Sequence, residues 1–386
     1  VSAARRYLEL GLRLGKHADE LVDAYWGPEE IARAVDAEEP REPAALVAEA
    51  EELLAAVAGD ACLTGEVRAL WAHARKLAGE ELTYAEEGEL VYGIDPRWHD
   101  EEPFRVGLAM LDEALPGSGD VRKRLAGWYD EIAVPPELLE QAIRDAAAEL
   151  RRLTRDTVGL PDGEDFELEL VTDKRWLGYA RYLGGLRTHI SVNTDLPVLA
   201  SILVNLTAHE IYGGHHTHHV WQEVELVRGR HELEWTLVVL WAPSSVISEG
   251  VATTGPDIVV GNAQELAASV LGRLGFSYDA EVGARVTEAG RLLQGVSANV
   301  AMLLHGRGAT VEEARDYAAT WSLQPDERLD TMVARQVASP SPVYQHTYWQ
   351  GRELVDGYVR GDAKRFRELL TARVVPSDLA VSRPAV

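Results

Sequence analysis

One cysteine, Cys62, is present among 386 residues, so the chain can close no internal disulfide and can build neither a cysteine zinc cluster nor an iron–sulfur site. That usage fits a reducing compartment, and a cytoplasmic location is the expectation. Basic residues are also scarce: 38 Lys and Arg against 63 Asp and Glu leave a formal charge of −25, which argues against a nucleic-acid partner, because such binding needs basic patches that release phosphate counterions. No stretch of membrane-spanning length is free of charge, so no membrane partner is expected. The opening VSAARRYLELGLRLGKHADELVDAYWG interleaves its leucines with Glu9, Arg13 and Lys16, an amphipathic helix rather than the core of a signal peptide.

Catalytic signatures are missing as well. There is no G-x-S-x-G elbow for a serine nucleophile. The Gly-rich GSGD at Gly117 lacks the Lys-Ser/Thr of a nucleotide loop. None of the 12 histidines follows a glutamate by three residues, which removes the di-iron and di-manganese bundles built from that pair.

What is present is mostly helix. PAALVAEAEELLAAVAG from Pro43 has proline early, apolar residues at helical spacing and Gly59 at its stop, and PPELLEQAIRDAAAELRRL from Pro135 repeats that grammar. Thr310 and Glu313 form a capping-box pattern. Strand signals are few. FELELV (166–171) alternates apolar and acidic residues, and LRTHISVN (186–193) is β-branched after the turn signal Gly184-Gly185. These two are expected to pair as a small hairpin or as the edge of a small sheet, so the fold class is mainly α with a small sheet (α+β). The length fits one or two domains. A change of character near TVGLPDGED divides the chain into a helical region, 1–156, and a second region, 157–386, that holds the strands and the histidines.

The stretch LTAHEIYGGHHTHHVWQE from Leu206 nearly spells H-E-x-x-H, but Gly213 stands where the second histidine belongs. On an unbroken helix His215 falls roughly 120° around and about 9 Å along from His209, and His216 about 10.5 Å along, so neither could share an ion with it. Gly213 and Gly214 can break the helix. If it ends near Tyr212 and a new one starts near His215, the glycines become an insertion inside the H-E-x-x-H frame, and His215 takes the vacant place. Glu210 then faces the open side of the ion as a general base. A third ligand is available in PSSVISEGVATTG (243–255), a short helix with Pro243 at its start and Glu249 beside Gly250, a residue that lets another backbone come close. Two imidazoles and a carboxylate are the donor set of a hydrolytic zinc site.

With His209, Glu210, Gly214, His215 and His216, followed by Ser-Glu-Gly at 248–250, the chain resembles a bacterial zincin-like family of unknown function whose signature is H-E-x-x-P-G-H-H with a downstream E-G. That family is similar in fold to the thermostable zinc carboxypeptidases. Tyr348 to Val355, YWQGRELV, is similar to its C-terminal Tyr-x-x-Gly segment. The likeness covers roughly the second half of the chain. It implies a helical metallopeptidase with a deep cleft, zinc on His209, His215 and Glu249, Glu210 as base, and a peptide or small amide as substrate. Gly213 departs from the family's proline, and a looser site is the expectation there. A metal- or peptide-binding protein without turnover is the alternative, and the residues themselves leave the choice between His215 and His216 open.

Other candidates stand beside these. Tyr348 and Arg352 lie four apart on a helix and could hold an oxyanion and a substrate carboxylate. His189, on the strand before the metal helix, is a candidate for contact with substrate, as is His346 near Tyr348.

Overall fold

Proline and small polar caps set where the helices begin. The structure, a computed structural model, describes residues 2–380. Ser2 accepts from the Arg5 amide and starts α1, Ala3–Gly15. Pro43 opens α2, Pro43–Val57, and Asp60 caps α3, Ala61–Leu77, by accepting from the Leu63 amide. Pro136 opens the long α4, Pro136–Thr157. The capping box of Thr310 and Glu313 forms in full. Each cap satisfies amides that the first helical turn leaves unpaired. No described helix is long and apolar enough to cross a membrane.

The strands make two small sheets. β1, Val22–Tyr25, pairs antiparallel with β5, Leu237–Val239. The second sheet has the order β2-β4-β3, built from β2, Asp165–Val171, β3, Gly178–Gly184, and β4, Arg187–Asn193. The mainly α fold with a small sheet is therefore as expected, but the pairing is not a hairpin of 166–171 with 186–193. Those strands run parallel, Phe166 opposite Thr188, and the hairpin partner of β4 is β3. The Gly184-Gly185 turn joins β3 to β4, both residues at positive φ, 77° and 64°.

Directly after β4 comes α5, Ala200–Glu210, and after a break α6, His215–Gln222. Behind them lies α7, Pro243–Val259, longer than the short helix expected there. Two helices complete the frame: α8, Asp326–Val337, and α9, Gln345–Val359.

Two large apolar clusters hold these elements, and each draws on both sides of residue 156. One joins Leu8, Leu14 and Leu70 to Val239, Val246 and Val355. The other joins Ile143 and Leu150 of α4 to Ile190, Leu203, Val204 and Ile211. α7 and α9 meet backbone to backbone: a Cβ on Gly250 would collide with the Gly351 carbonyl, and one on Gly351 with the Val246 carbonyl. Gly250 and Gly351 are the glycines of the E-G and Tyr-x-x-Gly segments, so both motifs serve one helix crossing.

Candidate metal centre

The histidine stretch does break where its glycines stand. α5 ends at Glu210, Gly213 takes φ 112°, and α6 starts at His215. One hydroxyl closes the break: Thr217 Oγ1 accepts from the Gly213 amide at 2.9 Å and donates to the Ile211 carbonyl at 3.1 Å. The turn is tight on both sides. A Cβ on Gly214 would strike the His209 carbonyl, and one on Gly255 of α7 would strike the Gly213 carbonyl. Proline can occupy neither that φ nor a position whose N–H is donated, so the departure from the family's proline comes with its own fastening.

A buried carboxylate anchors the hinge from outside. Glu164 accepts from Tyr212 Oη at 2.9 Å, His216 Nε2 at 3.1 Å and Arg151 Nε at 2.7 Å. Burial pushes its pKa up, but the bonds from His216 and Arg151 outweigh that and hold it below the usual carboxylate range. Thr188 of β4 bonds the other nitrogen of His216 at 2.7 Å. Both His216 nitrogens are thus engaged away from His209.

The ring that joins His209 is His215. Their centroids lie 4.8 Å apart at 90°. Glu249 Oε2 lies 3.5 Å from His209 Nε2 and 3.9 Å from His215 Nε2, and one ligand atom from each of the three falls within 4.8 Å of the others. A tetrahedral ion with ligand bonds of ~2.0–2.1 Å sets its ligand atoms about 3.3 Å apart, close to this spacing. Glu249 Oε2 is buried without a hydrogen-bond partner, which is the state of an acceptor whose partner is a cation.

The outward-facing atoms are tied down, as second contacts of metal-binding groups generally are. Tyr344 Oη donates to Glu249 Oε1 at 2.7 Å, Ser248 Oγ pairs with His215 Nδ1 at 3.0 Å, and His209 bonds the Ala252 backbone. Burial alone raises the Glu249 pKa, yet the close approach of His209 and the His215 charge lower it overall. His215 is pulled down to about 4 by burial, which leaves its imidazole neutral.

Glu210 sits beside this cluster, 6% exposed, against β3, where a Cβ on Gly178 would strike its carboxylate. Burial, aided by the Glu249 and Asp23 charges and opposed by His209, pushes its pKa up to about 7. Nearby, Asp23 of β1 accepts from Tyr179 Oη at 2.7 Å. All of these line one cavity of about 1140 Å³, together with Tyr348 and residues 174–180 of β3 and the turn before it. Tyr348 packs edge-on to Tyr344, centroids 5.7 Å apart.

Three candidates lie elsewhere. Arg352 bonds Asp356 Oδ2 at 3.1 Å, the Thr253 carbonyl at 3.1 Å and Asp257 Oδ2 at 2.5 Å, so it clamps α9 to α7 instead of holding substrate. His189 sits on the central strand β4 and pairs with Glu169 at 3.1 Å on the outer face of the sheet. His346 is fully buried and bonds Tyr84 Oη at 2.9 Å. The strand that flanks the cluster is β3, not β4, the strand next before α5. Sequence reading missed Tyr344, Ser248, Asp23 and Tyr179. Ser248 had a signal in its place beside Glu249, and Tyr344 in its four-residue spacing from Tyr348. Asp23 had none, since β1 meets the site only through the fold.

No protein-family model and no curated protein matches the chain. Among solved structures it is similar to a candidate lipoprotein from Colwellia psychrerythraea, at 16% identity and a TM-score of 0.54, over 91% of this chain and 64% of that one. A second, a candidate lipoprotein of unknown function from Shewanella oneidensis, aligns at 12% identity and a TM-score of 0.46 over 88% of this chain and 76% of that one. The chain thus spans somewhat under two thirds of the first protein's length, and the likeness concerns the fold alone.

Proposed function

We propose that this protein is a zinc-dependent hydrolase of peptide bonds, with the metal on His209, His215 and Glu249. One observation carries the reading: two imidazoles and an unpartnered buried carboxylate oxygen within 4.8 Å of one another, beside a second buried carboxylate, on the wall of a cavity. A divalent cation held by these residues supplies Lewis acidity toward a carbonyl and acidifies a water molecule.

The protein's own groups do the rest. Glu210 takes the proton of the attacking water at a carboxylate oxygen and passes it to the leaving amine. Tyr348, on the same cavity wall, donates its hydroxyl proton in a hydrogen bond to the oxyanion of the tetrahedral intermediate. Among the described residues β3 forms a ladder with β4 alone, and it lines the cavity beside Glu210, which places it to guide an extended substrate backbone past that carboxylate.

Purified protein is expected to hold about one equivalent of zinc. Glu210→Gln should keep that metal and lose about 10²- to 10⁴-fold in turnover of a peptide library read by mass spectrometry. His209→Ala should lose the metal. Wild-type protein that retains zinc yet cleaves no peptide would replace this reading with that of a metal- or peptide-binding protein.

A further inference from the structure

In a chain with a formal charge of −25, one part of the cavity wall is basic. The face of α8 turned to the cavity shows Arg328, Thr331, Met332, Arg335 and Gln336, at helical spacings of three and four. The turn between β2 and β3 brings Lys174 and Arg175 to the same cavity. None of the four cations forms an ion pair with a described carboxylate, although most cations elsewhere on the chain do. The carboxylates of α8 itself, Asp326 and Asp330, turn away to Arg315.

The two elements meet at Asp195. Its carboxylate accepts from the Asp173 amide at 3.0 Å and from the Lys174 backbone, and its charge is felt by Arg335 without a contact. Asp195 is therefore occupied with fastening the turn. Asn193 fastens it from below, its Nδ2 donating to the Lys174 and Trp176 carbonyls at 2.9 and 3.1 Å. The cationic turn is thus held in place before any ligand arrives.

We propose that this wall is a subsite for a carboxylate of the substrate. The inference rests on the peptidase reading and specifies its substrate. Gly178 touches Glu210, and Lys174 lies four residues earlier, a span of at most about 14 Å in extended chain. The carboxylate read here lies within about four residues of the cleaved bond. Two sources share that chemistry, a free C-terminus and an acidic side chain.

Three internally quenched peptides of one sequence separate them: one with a free C-terminus and no acidic residue, one C-terminally amidated with a glutamate three residues past the cleaved bond, and one amidated with glutamine there. At least one carboxylate peptide is expected to exceed the neutral one about tenfold in kcat/KM. The preference should fall to within about twofold in Arg328→Gln/Arg335→Gln and in Lys174→Gln/Arg175→Gln, while Arg144→Gln on the remote surface keeps it. Using two double variants on separate elements guards against misfolding of either. Equal kcat/KM for all three peptides, or a preference that survives both double variants, overturns the subsite. Should no peptide be cleaved, the hydrolase reading fails separately. Fluorescence anisotropy of the same peptides then tests the subsite by binding alone: tighter binding of a carboxylate peptide that both double variants abolish supports it, and equal binding of all three overturns it.

Discussion

Glu164 touches none of His209, His215 and Glu249, yet Tyr212 and His216 on the two sides of the helix break both depend on its carboxylate. Glu164→Gln removes the charge that Arg151 and His216 face and should cost about 2–3 kcal/mol in chemical denaturation. Because the hinge sets the angle between His209 and His215, zinc affinity should fall tenfold or more in the same variant, read by competition with a chelator. An unchanged affinity would mean that the two rings keep their places without this anchor. His73 of α3 offers a different test. It is 6% exposed and donates Nε2–H to the Trp241 carbonyl at 2.9 Å, and burial pulls its pKa down from 6.5 to about 4. The folded protein holds it neutral while the unfolded chain protonates it below about pH 6.5, so its share of stability is full above that value and is lost as pH falls toward 4. That share is about 3 kcal/mol. His73→Leu should flatten the stability curve between pH 6.5 and 4, and an equally steep curve would refute the assignment.

At the scale of elements, the crossing of α7 and α9 carries Glu249 on one helix and Tyr348 on the other. Gly250→Ala would drive a methyl into the Gly351 carbonyl and should destabilise by about 1–3 kcal/mol while moving Glu249 off its partners, so metal content should drop together with melting temperature. Gly213→Pro, which restores the residue usual in the resembling family, should cost about 3 kcal/mol or more, since it forbids φ 112° and removes the donor to Thr217. The glycine break, the new start at His215 and the carboxylate at 249 were all legible in the sequence, because a regular helix made the histidine spacing impossible and glycine was the one local remedy. β3 was not. Its burial alternates, Ala180 and Tyr182 inward with Arg181 and Leu183 outward, but the outward leucine blurs that pattern, and without β3 the hairpin partner of β4 was misassigned. Arg352 misled for a related reason: its four-residue spacing from Tyr348 is real, but Asp356 four residues on along its own helix also claims it, and Asp257 on α7 joins in once the two helices cross.

For the whole molecule the sequence marks a change in character near residue 157, and the packing runs across it. Val239, Val246 and Val355 share one apolar cluster with Leu8, Leu14 and Leu70, and Ile143 and Leu150 share the other with Leu203 and Ile211. A fragment beginning at residue 157 would expose the surfaces that α1, α3 and α4 now cover. It is expected to show no cooperative thermal transition by circular dichroism, whereas residues 2–380 should give one. A sharp transition in the fragment would show that the second region folds without the first. The basic cavity wall belongs to this scale too, because Lys174 and Arg335 are 161 positions apart in sequence and neither carries a local signal of the other.

The ladder between β1 and β5 also sets a schedule for biosynthesis. Val22 has its hydrogen-bonding partner at Val239, so at ~5–20 residues per second a growing chain carries that strand without its mate for roughly 10–40 s. Over this interval Leu8 and Leu14 lack the cover that Val239 gives their cluster, and slowing translation ahead of residue 239 should raise the yield lost to aggregation.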